Sequence, residues 1–279
     1  MTHLLVSVKQ VPDTTNIRID PETGSLIRKG VPAIINPYDA HAVAAAAEWK
    51  KKLGGKLTVI TMGPPAAEEA LQQCIEMGAD RAVLISDRKF AGSDTLATSY
   101  VLAEAIQKIH QEDPLDLIFF GKQAIDGDTA QVGPGAAVRL NMPLITYAVE
   151  IKEINKQDGY ALIIRKTESG REEIRTTLPA VLTAEKSIAE IPYASLPDLI
   201  TSLRYKPEFW TAEEPLLYDQ NQIGLKGSPT WVAKSGTPEA SEPAETISVA
   251  EAGLKDAVEQ ALTNMVSHKS VASLWEEFK

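Results

Sequence analysis

Short apolar runs and longer helix-patterned segments alternate through the first half of this chain. Leu4–Val8, Lys56–Thr61, Arg81–Ser86 and Leu115–Phe120 have the length and composition of buried strands. An Ala-rich segment opened by Asn36-Pro37-Tyr38-Asp39 and running through Leu53 predicts a helix. Asn36 is placed to cap it, Pro37 suits its first position, Asp39 lies near its positive end and Gly54 stops it. The turn Met62-Gly63-Pro64-Pro65 leads into a helix over 66–77, closed by Gly78. Another helix opens at Ser93-Asp94-Thr95 and runs to about His110. Ile17–Asp20 and Leu26–Arg28 flank Pro21-Glu22-Thr23-Gly24 and predict a hairpin on the edge of the main sheet. Strand and helix in alternation over residues 1–150 predict an α/β fold, a parallel sheet with helices on both faces. Ligands of such sheets bind at the carboxyl ends of the strands.

The pattern then changes. Leu144–Ile151, Tyr160–Lys166, Glu172–Thr177 and Leu178–Thr183 read as further strands, with Ser169-Gly170 as a turn. From Ile191 the chain reads as a loop, in which Tyr193 and Leu196 lie among prolines; they either form a docking patch or pack down. Residues 212–232 lack periodicity, and residues 234–246 have linker composition. Val249–Phe278 resumes a helical pattern, expected to form one or two helices at the end of an arm that must cover a surface.

The stretch 120–134, Phe-Gly-Lys-Gln-Ala-Ile-Asp-Gly-Asp-Thr-Ala-Gln-Val-Gly-Pro, joins a strand to a helix whose body is Gly135–Leu140. The first N–H groups of a helix lack partners within it, and its dipole adds positive charge there, so a phosphate is welcome. Asp128 and Gln131 have the spacing of a capping box, and Gly127 leaves room for another group to approach the backbone. An ordinary strand-to-helix connection has the same composition, so both readings stay open. Gly133-Pro134-Gly135-Ala136-Ala137-Val138 departs from the dinucleotide fingerprint at its last place, and no P-loop occurs.

Charge and chemistry narrow the classes. A net charge of −10 argues against nucleic-acid binding. The single cysteine, Cys74, excludes an internal disulfide and suits a reducing compartment; it is expected in a helix core. With no leader and no apolar stretch of spanning length, the protein is expected to be soluble and cytoplasmic. His3, His41, His110 and His268 lack metal-ligand spacing, and no Gly-x-Ser-x-Gly elbow occurs. Asp126 and Asp128 read as a carboxylate pair or as turn and cap residues. No nucleophile or general base stands out, so a cofactor would have to carry any chemistry.

Seven segments in order carry a resemblance: Val8-Lys9-Gln10-Val11-Pro12-Asp13, Asn36-Pro37-Tyr38-Asp39, Thr61-Met62-Gly63-Pro64-Pro65, Met77-Gly78-Ala79-Asp80-Arg81-Ala82, the 120–134 stretch, Leu178-Pro179-Ala180 and Gly224-Leu225-Lys226-Gly227-Ser228-Pro229-Thr230. Together they resemble the β subunit of electron transfer flavoproteins over about residues 1–232. The resemblance implies a Rossmann-like doubly wound, mostly parallel sheet with added antiparallel strands. It implies a nucleotide-binding domain over 1–232, and over 233–279 a linker and helical arm that packs on a partner. That partner would be an α subunit carrying FAD. An adenine nucleotide would sit at the 120–134 turn, AMP in single-flavin members and a second FAD, reduced by NADH, in electron-bifurcating ones. The turn lacks the Asn-Gln-Thr run usual in the AMP type and looks like the bifurcating type. Residues implied to bind the nucleotide are Val8, Lys9, Asn36, Asp39, Met62, Gly121, Gln123, Gly127, Asp128, Thr129, Ala130, Gln131 and Val132. Ala91, Gly92, Ser93, Asp94 and Thr95 would receive NADH, and Tyr193 and Leu196 match a loop that docks the partner dehydrogenase. Further partners implied are an acyl-CoA or hydroxy-acid dehydrogenase and ferredoxin or flavodoxin.

Overall fold

The central strand, β1 (His3–Ser7), is buried at every position because both faces of its sheet are covered. The computed structural model describes residues 1–13, 18–19, 26–27, 32–216, 218–231 and 246–267. Parallel to β1 on one side runs β6 (Lys56–Met62), followed by β7 (Arg81–Ile85) and the short edge strand β13 (Glu208–Trp210). On the other side lie β8 (Leu117–Gly121), then β12 (Ala180–Ala184) and β9 (Leu144–Asn155), all parallel. The hairpin β10 (Tyr160–Lys166) and β11 (Arg171–Thr177) adds two antiparallel strands beyond β9, giving nine strands in all. The α/β sheet is therefore mostly parallel with antiparallel additions, as expected.

The helices cover both faces. Leu4, Val6 and Val8 pack with α1 (Pro37–Leu53) and α2 (Glu68–Glu76), where Cys74 is fully buried. Leu5 faces the other way, toward α3 (Thr95–Glu112) and α4 (Val132–Leu140). Such two-sided burial explains why the strands read as unbroken apolar runs. After β7 the chain returns through α3 to place β8 on the far side of β1. The order of strands reverses there, so a crevice lies between the carboxyl ends of β1 and β8.

Several local expectations need correction. β3 (Arg18–Ile19) and β4 (Leu26–Ile27) pair with each other as a separate ribbon, not on the edge of the main sheet. A second small ribbon joins β2 (Gln10–Pro12) to β5 (Ala33–Ile35). The expected loop after Ile191 holds a helix, α5 (Leu196–Arg204), capped by the Ser195 side chain, which accepts the Asp198 N–H. Its prolines misled: Pro197 sits in the first turn, where a missing N–H costs nothing. The edge strand β13 was not expected at all, since three residues carry too little pattern.

The chain divides into two compact units, Met1–Ser235 and Gly236–Lys279. The second unit contains α6 (Val249–Ala252) and α7 (Leu254–Ser267), separated by Gly253 at φ 81°. Leu254, Val258, Leu262 and Met265 fall on one face of α7 and are exposed. The part of the expected helical pattern after Ser267, and the 234–245 part of the expected linker, lie outside the described residues.

Phe119 is among the largest fully buried side chains, in the middle of β8. Phe119→Ala should cost about 3–5 kcal/mol in chemical denaturation, transfer and cavity terms together. A loss below about 1 kcal/mol would show that this strand is not at the centre of the core.

Candidate nucleotide site

Asn36 and Asp39, one helical turn apart at the start of α1, tie together the segments around the crevice. Asn36 ends the loop before α1, but its side chain makes no cap bond. Instead Asn36 Nδ2 donates to Gln123 O at 2.8 Å, and Asn36 Oδ1 accepts the Ile125 N–H at 3.1 Å. Asp39 Oδ2 accepts the N–H of Lys9 at 2.7 Å, and Oδ1 accepts that of Gly121 at 3.0 Å. Lys9 follows β1 and Gly121 ends β8, so a single carboxylate bridges the two strand ends that flank the crevice. Gly121 must be glycine, because a Cβ there would lie 2.1 Å from Asp39 Oδ1. Burial pushes the Asp39 carboxyl up to about 7, against the pull of the Asn36 side chain, the two N–H groups and the Lys9 ammonium.

The loop that follows is held by side chains at its near end and left open at its far end. Lys9 Nζ reaches both oxygens of Asp126 at 2.8 Å, and Gln123 Nε2 donates to Asp128 Oδ1 at 2.7 Å. Asp128 and Ala130 have φ of 50° and 53°, left-handed values that turn successive peptide groups into a concave nest. Among the described residues, the N–H groups of Thr129, Ala130, Gln131, Val132 and Gly133 donate to no protein acceptor. The expected capping box is absent. Gln131 itself occupies the cap position without a cap bond, and its Oε1 accepts from Thr95 Oγ1 at 2.8 Å. Gly127 faces open space, with no protein atom within 4 Å of an added Cβ, whereas Gly133 is pressed against Phe120 and Thr183.

Two residues implied for the site contribute no side chain to this loop. Val8 is buried in the core on the α1 and α2 face, and Met62 packs on the α3 and α4 face. Sequence reasoning missed a charged aromatic cluster beside the crevice. Lys122 pairs with Glu185 at 3.1 Å and lies over the rings of Tyr38 and Tyr147, and Lys186 lies over Tyr38. Tyr147 sits at a register shift of β9 with φ 57°, a strained position with no sequence signature.

In the Ala91–Thr95 segment the N–H groups of Ala91, Ser93 and Asp94 already have protein acceptors. Asp94 caps α3 by accepting from Leu96 and Ala97, and its own N–H donates to Ser228 Oγ at 2.8 Å. Ser93 Oγ donates to Phe90 O and accepts the Gly224 N–H. Thr230 donates both its N–H and its hydroxyl to Asp94 Oδ2. The 224–230 segment thus wraps the start of α3. Burial alone would raise the Asp94 carboxyl, but the N–H of Ala97, both groups of Thr230 and the N–H of Leu96 hold it below its usual value. Elsewhere, Tyr193 is fully exposed and Leu196 is 69% exposed, at the start of α5.

Asp94→Ala should cost roughly 0.5–2 kcal/mol at neutral pH, the range for losing a capping side chain. The Asp94 pKa is lowered in the fold, so its contribution is present above the ordinary carboxylate pKa and is lost as pH falls through the folded value. Denaturation of wild type and variant should therefore converge in acid. A gap that persists there would assign the effect to lost packing.

Comparison with known proteins agrees with the geometry. A family model described as the electron transfer flavoprotein domain matches residues 23–199. Protein FixA of Azotobacter vinelandii is 46% identical over 264 residues, 94% of each chain. Electron transfer flavoprotein subunit beta of Clostridium acetobutylicum is 46% identical over 246 residues, 88% of this chain and 92% of that one. The corresponding subunit of Thermoanaerobacterium thermosaccharolyticum is 42% identical over 265 residues, 95% of this chain and 98% of that one. With its nine-stranded sheet and the loop after β8, the chain belongs to the β-subunit family of electron transfer flavoproteins.

Proposed function

We propose that this chain is the β subunit of an electron-bifurcating electron transfer flavoprotein and holds FAD at the loop between β8 and α4. The supporting observation is the run of five consecutive N–H groups, Thr129 to Gly133, without protein acceptors. A single phosphate is satisfied by fewer donors; the length of the run, on a nest at a helix start, suits a pyrophosphate. The nucleotide-binding residues are then Lys9, Gln123 and Gly127 to Val132, with Asn36, Asp39 and Gly121 holding the loop from behind. When bound, FAD supplies the acceptance of two electrons from NADH and their release one at a time.

This chain's residues bind and orient. The Ala91–Thr95 segment touches the loop through the Thr95–Gln131 bond. In this reading it forms a wall for the NADH donor. One electron would pass to a low-potential ferredoxin or flavodoxin. The other would pass through FAD of an α subunit to an acyl-CoA or related dehydrogenase. Tyr193 and Leu196 would dock that dehydrogenase, supported by their exposure, and the exposed apolar face of α7 would pack on the α subunit. No described helix is long and apolar enough to cross a membrane, and in this reading the protein would work in the cytoplasm beside its proposed partners.

A second reading, AMP at the same loop, shares the adenosine and one phosphate. Acid extraction of the purified αβ complex decides between them: two FAD per pair are expected, and one FAD with one AMP would overturn the bifurcating reading. Gly127→Val should fold normally, since a Cβ there meets no protein atom within 4 Å, and lose only the β-bound nucleotide. Full retention of both nucleotides would move the site away from this loop.

A further inference from the structure

Asp39 offers more than a structural bond, and the inference rests on the nucleotide reading above. Its two carboxyl oxygens serve different strands: Oδ2 takes the Lys9 N–H after β1, and Oδ1 takes the Gly121 N–H at the end of β8. The next residues of the β8 side form the loop whose Thr129 to Gly133 N–H groups have no protein acceptor. An ionised carboxylate accepts on both oxygens, whereas a protonated one carries an O–H that competes with acceptance. A proton on Asp39 therefore sets a donor against one of the two N–H groups and loosens one strand end from the other.

We propose that Asp39 is the positioning residue of the nucleotide loop, and that its charge state sets how tightly the loop holds a nucleotide's phosphates. Asp39 is 6% exposed, and its carboxylate lies against Gly121 so closely that a Cβ there would meet Oδ1 at 2.1 Å. Burial brings its pKa to about 7, so the charge changes near neutral pH. The groups around it come from four directions. Lys9 faces it from the β1 end, with its ammonium held by Asp126. Cys74 faces it from α2, a thiol raised by burial and then by the Asp39 charge. Tyr38 adjoins it on α1 and carries Lys122, from the end of β8, and Lys186 over its ring.

The sign of the effect separates this role from a purely structural one. The folded pKa is raised, so Asp39 contributes to fold stability below its unfolded value of 3.8, and that contribution is lost as pH rises through about 7. Lowering the pH through 7 thus favours the fold at this residue while loosening the loop. A carboxylate that merely repelled the phosphates would do the opposite, tightening the grip as it became neutral.

The test follows nucleotide release from the αβ complex as purified, by dialysis and chromatography between pH 6 and pH 8, beside thermal melting. Wild type should release nucleotide at least about threefold faster at pH 6, with a midpoint near 7, and should show no matching loss of melting temperature attributable to Asp39. Asp39→Asn, which has nothing to titrate here, should release rapidly at both pH values and lack the step. Comparison with this variant also subtracts any ionisation of the nucleotide's own phosphate. Release that is flat with pH or slower at pH 6 in wild type overturns the proposal, even if the variant fails to fold. A wild-type step retained in Asp39→Asn overturns it too. If Gly127→Val loses the nucleotide while Asp39→Asn keeps the wild-type profile, the nucleotide reading stands and the role of Asp39 falls. A complex that carries no nucleotide at this loop defeats both.

Discussion

A buried carboxylate shared by two strand ends is the constraint on which the rest of this site depends. Asp39 lies at the start of α1, where the helix dipole favours a negative charge, and it accepts one N–H from each side of the crevice. Hydrogen bonds to a charged group are each worth about 1.5–3 kcal/mol, and leaving either partner unsatisfied in a buried place costs a similar amount. The exposed Lys9–Asp126 pair nearby, with side chains 49% and 31% exposed, is worth only about 0.2–1 kcal/mol by comparison. The position of the loop is accordingly set from below, by Asp39 and Asn36, and not by the ion pair on its surface.

Fixing the base of the loop has a consequence for its far end. Because Asn36 holds Gln123 and Ile125, and Asp128 N–H bonds to Ala124 O, the turn is formed without using the N–H groups from Thr129 onward. Those donors are arranged before a ligand arrives, so little ordering cost is left to binding. The α3 start, joined to the loop through Thr95, shows the contrary solution. There Asp94 and Ser228 satisfy the donors of Asp94, Leu96 and Ala97 internally, which makes that helix end a support for the 224–230 segment. Two neighbouring helix starts thus differ in whether their own chain supplies the anion.

The α/β sheet, its helices and the β8–α4 turn were legible in the sequence because two-sided burial writes strands as apolar runs and Gly and Pro mark their ends. What remained hidden was non-local. Asn36 has the spacing of a cap, and only the fold brings Gln123 and Ile125 within reach of it. Asp128 and Gln131 have the spacing of a capping box, but left-handed backbone at Asp128 itself and at Ala130 breaks the required geometry. Gly121 was named beside Gly127 through the resemblance, but its close contact with Asp39 follows only from the fold. Helix α5 was written in the spacing of Leu196, Leu199, Ile200 and Leu203, and its prolines obscured it. Tyr147 carried no signal, since its backbone follows from a bulge set by the register of β9 against β12.

Amide hydrogen exchange on the αβ complex, with and without its nucleotides, tests the central claim most directly. Slow exchange of the Lys9, Gly121 and Ile125 amides is expected in both states, because Asp39 and Asn36 hold them. Exchange at Thr129 to Gly133 should be fast without nucleotide and slow with it. Protection of Thr129 to Gly133 in the nucleotide-free protein, or exchange there that ignores the nucleotide, would contradict the account.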